Sequence, residues 1–248
     1  MSDRGWSARG DSPFVTWAIA GRPMRGESVS GDRATVHVSG TRTVLATIDG
    51  LGHGPEAATA AQLAATVIEH NPAEPLDVLM LLAHREMADT RGAAATVAIL
   101  DGETSTMSWL GVGNVDGVLI RADRDARPHS HGVFLVGGVL GYHMGRLHLP
   151  DPVMLAEGDV VVLASDGVRA NLAEVVQPDV PVERLADMII AKYARIDDDA
   201  TVLAARYQPL DPDDDRLRDE PSFRPLNPLA ERLGDRPPFG RLGPSSGS

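Results

Sequence analysis

Four short stretches of this 248-residue chain place an aspartate where an apolar or small-residue run meets a loop. They are Asp32 in SVSGD, Asp49 in ATIDG, Asp166 in VLASDG, and Asp198 or its neighbour Asp199 in RIDDDATVL. A carboxylate beside a buried strand is costly unless it is paired or binds a metal. Lys192 is the only lysine, and no arginine is adjacent in sequence to Asp49 or Asp166. The pattern is therefore typical of a site for hard divalent cations such as Mg²⁺ or Mn²⁺.

A glycine follows two of these aspartates, at Gly50 and Gly167. Because it has no side chain, Gly50 lets its carbonyl or a bound ion approach closely. Two cations about 3.5–4 Å apart can share one carboxylate and activate a water between them for in-line attack on phosphorus. That chemistry would make Asp49 the bridging, catalytic carboxylate. An ordinary turn is the alternative for either Asp-Gly pair alone.

The overall charge argues against a nucleic-acid substrate. The chain carries 23 basic and 35 acidic residues, a formal net charge of −12, which repels phosphate backbones. No run approaches the roughly 18 apolar residues of a membrane span, and the first residues lack the apolar core of a secretory signal. The chain has no cysteine, which fits a reducing compartment. We therefore expect a cytoplasmic protein without a membrane partner.

The apolar runs and turn signals predict individual strands and helices. The runs at 34–40 and 42–49 are rich in β-branched residues and predict a hairpin. Gly54 as N-cap and Pro55 at the first helical position favour a helix that ends before Pro72. Further helices are predicted over about 75–90 and 181–194, strands over several runs between 93 and 167, and a last strand up to Tyr207.

This order of elements indicates an α+β fold with mainly antiparallel sheets rather than alternating βαβ units. Residues 1–12 are rich in Ser, Gly, Arg and Asp and are predicted to be a disordered arm. A folded domain is expected over 13–208. The Pro- and Gly-rich segment 209–248 is predicted to be a disordered tail.

Two further motifs have both a functional and a structural interpretation. The guanidinium of Arg91, in DTRGAA, could bind a substrate phosphate in a bidentate manner. The alternative is a charge at a helix C-terminus or an ion pair in the core. The glycines of GVGNVDG fit neither known phosphate-loop pattern, because no strand-to-helix transition follows them. Gly113 and Asn114 are therefore predicted to form a hairpin turn.

In order along the chain, SGD, DGLGHGPEAA, TRGAA, GVGN, ASDGV and DDAT resemble the motifs of the SpoIIE-type metal-dependent protein phosphatases. These are the bacterial branch of the type-2C (PPM) Ser/Thr phosphatases. The resemblance covers about residues 25–206. It is greatest to the small single-domain RsbX-type enzymes, which act on stressosome proteins.

The resemblance implies two packed, mainly antiparallel β-sheets flanked by helices, and a binuclear Mn²⁺ or Mg²⁺ centre. It assigns Asp49 and the Gly50 carbonyl to the bridging site, and Asp32, Asp166 and Asp198 to the remaining protein ligands. Asp198 matches the first acid of the family's DDxT pattern, with Asp199 as the alternative because Asp197 makes the register ambiguous.

One position departs from the related type-2C enzymes, which carry a histidine directly after the Asp-Gly pair. Here Leu51 fills that position, and His53 follows two residues later. His53 could protonate the leaving alkoxide, since an imidazole titrates near neutral pH. It could equally donate a hydrogen bond that shapes the loop.

The function implied is hydrolysis of phosphoserine or phosphothreonine on a separate regulatory protein by a metal-bridging hydroxide. The resemblance points to a phosphorylated STAS-domain antagonist or stressosome component as that partner. Two alternatives stay open: a non-catalytic module that binds a phosphoprotein, and a two-metal hydrolase of nucleotides or other small phosphates. Retention of all four aspartates favours catalysis. The oligomeric state is left open.

Overall fold

The computed structural model describes residues 5–211 and 214. Its helices are α1 (Gly54–His70), α2 (Leu76–Glu86), α3 (Leu172–Val175) and α4 (Val182–Tyr193). Its longer strands are β1 (Trp6–Asp11), β2 (Val15–Arg22), β3 (Asp32–Ser39), β4 (Arg42–Gly50), β5 (Ala93–Asp101), β6 (Thr106–Val112), β7 (Asp116–Ile120), β13 (Val160–Ala164) and β14 (Ala200–Tyr207). The short strands between them are β8 (Ser130–Gly132), β9 (Leu135–Val136), β10 (Gly138–Val139), β11 (His143–Met144) and β12 (Val153–Met154).

The strands form two large sheets. The first sheet has the order β1–β2–β14–β13–β7–β8, and the second has the order β12–β6–β5–β4–β3. Neighbouring strands pair antiparallel, except that β9 pairs parallel to β6. The predicted α+β class with mainly antiparallel sheets is confirmed.

Three buried layers hold these elements together. Leu45, Leu163 and Leu203 lie between the two sheets. Alanines of α1 and apolar residues of α2 cover the outer face of the second sheet, and α4 covers the outer face of the first sheet. The molecule is therefore a four-layer α-β-β-α sandwich, because each sheet buries both of its faces.

The alternation of side chains along β4 sets the direction of its last carboxylate. Val44 and Ile48 pack towards the helices, whereas Leu45 packs between the sheets. Successive side chains of a strand point to opposite faces, so Thr47 and Asp49 lie on the same face as Leu45. The β4 strand thus passes from an apolar inter-sheet core to a carboxylate at its end.

The prediction of a disordered arm over residues 1–12 is wrong for Trp6–Asp11, which form the strand β1. Trp6 lies opposite Gly21, and Gly10 lies opposite Trp17, in an antiparallel pair. A Cβ on Gly21 would lie 2.7 Å from the Trp6 ring, and one on Gly10 would lie 2.6 Å from the Trp17 ring. These glycines therefore provide the space for indole rings across the hairpin, rather than flexibility.

Two other expectations need correction. Gly113 and Asn114 do not close a hairpin, because β6 belongs to the second sheet and β7 to the first, so this turn carries the chain between sheets. The strands expected between 132 and 155 are only two or three residues long, where glycines and prolines interrupt pairing. The predicted tail lies outside the described residues apart from 209–211 and 214. Within the described chain, no helix is long and apolar enough to cross a membrane.

The glycines of both Asp-Gly pairs are required by close backbone contacts. A Cβ on Gly50 would lie 2.2 Å from the carbonyl oxygen of Ala57 in α1. A Cβ on Gly167 would lie 1.8 Å from the carbonyl oxygen of Asp199. Each contact holds a candidate ligand segment against a second element of the site, so these are not merely turn residues.

We expect Gly50→Ala to lower the free energy of unfolding by about 1–3 kcal/mol, because its methyl group would force α1 away from β4. The measurement is guanidinium denaturation of the protein in chelator. Gly132→Ala is the matched control, since a Cβ there meets no atom within 4 Å. Equal effects of the two substitutions would contradict this packing argument.

Candidate metal centre

The strand ends bring the predicted acids to one end of the sandwich. Asp32 begins β3 and lies directly opposite Asp49 near the end of β4. In the first sheet, Ala164 at the end of β13 pairs with Val202 near the start of β14. The residues just beyond these two positions therefore emerge at the same end, which places Asp166 and Asp198 beside the other pair.

Asp32 is buried and is held by a serine from the opposite sheet. The Ser165 hydroxyl donates to Asp32 Oδ2 at 2.5 Å and accepts from the Thr201 backbone N–H at 2.9 Å. Burial raises the pKa of the Asp32 carboxyl well above its usual range, and the charge of Asp49 raises it further. The hydrogen bond from Ser165 lowers the same pKa. Ser165 thus stabilises the ionised form against the dominant effect of burial.

Asp49 lies at the centre of the acidic group. Burial and then the charges of Asp166 and Asp198 raise its pKa to about 7. The proximity of the Asp166 carboxyl thus favours the protonated form of Asp49. A carboxylate with this environment gains stability from any added positive charge.

Asp166 has a second partner that is neutral. The Asn114 side-chain amide, in the turn between the sheets, donates to Asp166 Oδ2 at 2.5 Å. One oxygen of the Asp166 carboxylate therefore accepts a hydrogen bond from an amide, and Asp49 is a charged neighbour of the same carboxylate.

The two acids at the start of β14 have different environments. Asp199 is buried, and its oxygens accept from the backbone N–H groups of Met24 at 2.7 Å and Gly31 at 2.8 Å. Asp198 is more exposed, and burial and the charge of Asp166 raise its pKa. These contacts favour Asp198 as the ligand and make Asp199 the anchor of the loop that leads into β3.

An arginine that is distant in sequence from Asp166 lies beside these acids. Arg195 contacts Asp197 at 3.1 Å and Asp198 at 3.3 Å, and its backbone N–H donates to the Gly167 carbonyl at 2.8 Å. Its charge lowers the pKa of Asp198, against the larger effects of burial and Asp166. Arg195 therefore lies near Asp166 in the folded chain, although no arginine is adjacent to Asp166 in sequence.

His53 lies on the exposed loop after Gly50 and is the N-cap residue of α1. Its Nδ1 lies 2.9 Å from Oε1 of Glu27. Glu27 belongs to the same loop that Asp199 anchors at Met24 and Gly31. The ring therefore connects two of the segments that surround the acids.

Arg91 lies at the rim of the site, and neither structural alternative describes it. It is half exposed and forms an ion pair with Glu56 in the first turn of α1. A Cβ on Gly52 would lie 3.0 Å from its Nη1, so the guanidinium contacts the loop that follows Asp49. It is neither a helix C-terminal charge nor a core ion pair.

The donor set fits a hard divalent cation. The acids supply only oxygen ligands. Their charges raise the pKa values of Asp32 and Asp49, and a bound cation would counteract this repulsion. Behind them, the hydroxyls of Thr47 and Thr201 are buried and have no hydrogen-bond partner among the described residues, so this end of the inter-sheet layer is polar.

In residues 5–211 and 214, no three His, Asp or Glu side chains converge tightly enough to hold an ion as they stand. The acids therefore form an open array at this end of the sandwich.

Sequence reasoning missed three residues that contact the predicted acids: Ser165, Asn114 and Arg195. Ser165 directly precedes Asp166, so its proximity to that acid was visible, but its bond to Asp32 spans 133 positions. Asn114 had a turn signal and lies in the GVGN motif, but neither indicated its contact with Asp166. Arg195 lies in RIDDDATVL just after α4, and its contacts with the acids were not predicted.

Comparisons with known proteins agree with this architecture. The family model of stage II sporulation protein E (SpoIIE) matches residues 39–208. A structure solved in work on the bacterial stressosome as a modular system for controlling secondary messenger signalling is 32% identical, with a TM-score of 0.70. The alignment covers 77% of this chain and 99% of that chain. No curated protein sequence matches the chain.

Two more distant structures share the fold. RsbX in complex with magnesium is 17% identical with a TM-score of 0.72, covering 82% of this chain and 100% of that chain. The catalytic domain of the serine/threonine phosphatase PstP in complex with two manganese ions is 19% identical with a TM-score of 0.58. That alignment covers 78% of this chain and 98% of that chain. The predicted two-sheet sandwich is confirmed by these relatives.

The raised pKa of Asp49 makes the stability of the protein in chelator depend on pH. The folded state binds a proton up to about pH 7, whereas an unfolded Asp releases it near 3.9. The stabilising contribution is therefore full below pH 4 and is lost as pH rises through 7. We expect Asp49→Asn to be more stable than the native chain at pH 8, on the order of 2 kcal/mol, with the difference vanishing near pH 4.

Guanidinium denaturation in chelator at several pH values measures this difference. Asp187→Asn is the control, because Asp187 is exposed on α4 and should show no such pH-dependent gain. A constant difference between Asp49→Asn and the native chain across pH 4–8 would contradict the electrostatic argument.

Proposed function

We propose, from the premise that this chain belongs to the SpoIIE family of metal-dependent, type-2C-like protein phosphatases, that it removes phosphate from phosphoserine or phosphothreonine on a regulatory partner protein. The observation that carries the proposal is the meeting of Asp32, Asp49, Asp166 and Asp198 at one end of the sandwich. Such an all-oxygen donor set suits phosphoryl chemistry with hard cations.

The cofactor we propose is a pair of Mn²⁺ or Mg²⁺ ions. Asp49 and the Gly50 carbonyl would hold both ions, and Asp32, Asp166 and Asp198 would complete the protein ligands. When bound, the pair supplies an activated water and neutralises charge on the phosphoryl oxygens. The magnesium in RsbX and the two manganese ions in PstP support this assignment.

The protein's own groups orient the site before substrate binds. Ser165 fixes Asp32 from the opposite sheet, and Asp199 anchors the loop that carries Asp32 through two backbone N–H groups. Arg91 lies at the rim with its guanidinium half exposed. We assign it to binding of the substrate phosphate, in exchange for its contact with Glu56.

His53 is assigned as the proton donor to the leaving serine or threonine oxygen. Glu27 fixes the ring through Nδ1, and no hydrogen bond of Nε2 occurs within the described part of the chain. An imidazole held in this way can deliver a proton from Nε2 to a leaving oxygen. The competing role, in which His53 only shapes the loop, predicts equal effects on all substrates.

The partner we propose is a phosphorylated STAS-domain antagonist or a stressosome-like protein. Support comes from the stressosome-related structure, which covers most of this chain at 32% identity, and from RsbX. The net charge of −12 opposes a nucleic-acid substrate. The lack of cysteine supports the cytoplasm as the compartment.

We expect the native protein to hydrolyse p-nitrophenyl phosphate and a phosphoserine peptide only with Mn²⁺ or Mg²⁺, and Asp49→Asn to lower kcat at least about 100-fold. The substitution would remove a carboxylate that is proposed to hold the ions. The control is Asp187→Asn, which should retain native turnover. A native protein that bound the phosphopeptide without turning it over would favour the binding module. Faster turnover of nucleotides than of phosphopeptides would favour a small-phosphate hydrolase.

The proton-donor role of His53 is tested by comparing leaving groups. We expect His53→Ala to lower kcat for the phosphoserine peptide about 10–100-fold, because an alkoxide needs a proton as it leaves. Turnover of p-nitrophenyl phosphate should fall less than threefold, since nitrophenolate leaves without an acid. Equal losses on both substrates would assign His53 to loop structure alone.

A further inference from the structure

We propose that Asn114 is a positioning residue of the metal centre, whose side-chain amide holds one oxygen of Asp166 and leaves the other oxygen for a cation. The inference rests on the metal centre of the proposed function, but not on the identity of the substrate. The sequence predicts a turn at Asn114 and places it in the GVGN motif, without indicating a contact with the acids. Its amide contact with a candidate ligand is the observation that gives it a further role.

The chemistry of the contact suits a ligand that must remain charged. Asn114 Nδ2 donates to Asp166 Oδ2 at 2.5 Å. An amide N–H is a neutral donor, so it orients the carboxylate without adding a positive charge that competes with a cation. Arg195 instead pairs with Asp198 as a full positive charge. Asn114 is therefore suited to orientation, and Arg195 to charge balance.

The backbone around Asn114 is fixed on both sides. The Gly113 N–H donates to the Val136 carbonyl at 3.0 Å, and the Thr96 hydroxyl donates to the Val115 carbonyl at 2.6 Å. Gly113 has a positive φ of 91°, and a Cβ there would lie 2.6 Å from Cβ of Ala94. The turn that carries the Asn114 amide is thus held by hydrogen bonds and close packing, as a preorganised contact to a metal-ligating side chain requires.

The Asn114 amide is the side-chain donor that holds the Asp166 carboxylate. The neighbouring Asp49 carboxyl, whose pKa the charge of Asp166 raises, has the same sign of charge and does not orient Asp166 towards a cation. Without the Asn114 donor, the Asp166 carboxylate loses the contact that holds one of its oxygens. Groups that orient a metal ligand in this way typically contribute 10–100-fold to metal affinity.

The experiment is isothermal titration calorimetry with Mn²⁺ on the full chain, without substrate. We expect Asn114→Ala to raise the Kd for Mn²⁺ about 10-fold or more. The matched control is Asn171→Ala, because the exposed Asn171 amide donates to a Glu174 oxygen at 2.7 Å by the same chemistry. The control should change the Kd less than about twofold. A Kd for Asn114→Ala within twofold of the native value would overturn the inference.

A double-mutant cycle tests whether Asn114 acts through Asp166. In an Asp166→Asn background, the additional Asn114→Ala change should alter the Kd less than about twofold, because the carboxylate it orients is gone. A full tenfold effect retained in that background would show that Asn114 acts elsewhere and would overturn the assignment.

Stability in chelator separates positioning from folding. The guanidinium midpoints of Asn114→Ala and Asn171→Ala should differ from the native value by similar, small amounts, because both asparagines are exposed. A loss of stability by Asn114→Ala large enough to explain its weaker binding would assign the residue to the fold and overturn the inference. Native protein that bound no Mn²⁺ would refute the metal centre itself, whereas unchanged binding by Asn114→Ala refutes only the role of Asn114.

Discussion

Repulsion between carboxylates gathered at one end of a β-sandwich is the constraint on which the rest of this structure depends. Burial and neighbouring charge both penalise the ionised forms of Asp32 and Asp49, and these penalties grow as the local dielectric falls. A hydroxyl from Ser165 offsets part of the penalty at Asp32, and an amide from Asn114 holds the neighbouring Asp166. The contacts orient the acids but leave most of their charge uncompensated, which is the condition for strong binding of a small, highly charged ion.

Local sequence patterns predict much of the fold because side chains alternate between the two faces of each sheet. The alternation in β4 separates the residues that face the helices from those that face the other sheet, and it continues to Asp49. Gly54 and Pro55 mark the start of α1 to within one residue. The candidate acids were visible because each lies at a strand end or within two residues of one, where a carboxylate contrasts with the residues of the strand.

The features that escaped prediction depend on partners across the chain. The glycines near the N-terminus indicate disorder until Trp6 and Trp17 are placed opposite them in the hairpin. The anchoring role of Asp199 depends on the backbone of Met24 and Gly31, which no local pattern near residue 199 contains. Sequence patterns and secondary-structure propensities depend on residues close along the chain, whereas these roles depend on contacts between distant segments.

The contact between Ser165 and Asp32 joins residues 133 positions apart, and that between Gly31 and Asp199 joins residues 168 apart. Both must form before the acids are assembled, so loop closure over most of the chain precedes any complete site. Chains dominated by such non-local pairings fold slowly, in milliseconds to seconds. A nascent or partly folded chain therefore lacks the assembled acids, and ion binding becomes a late event that reports completion of both sheets.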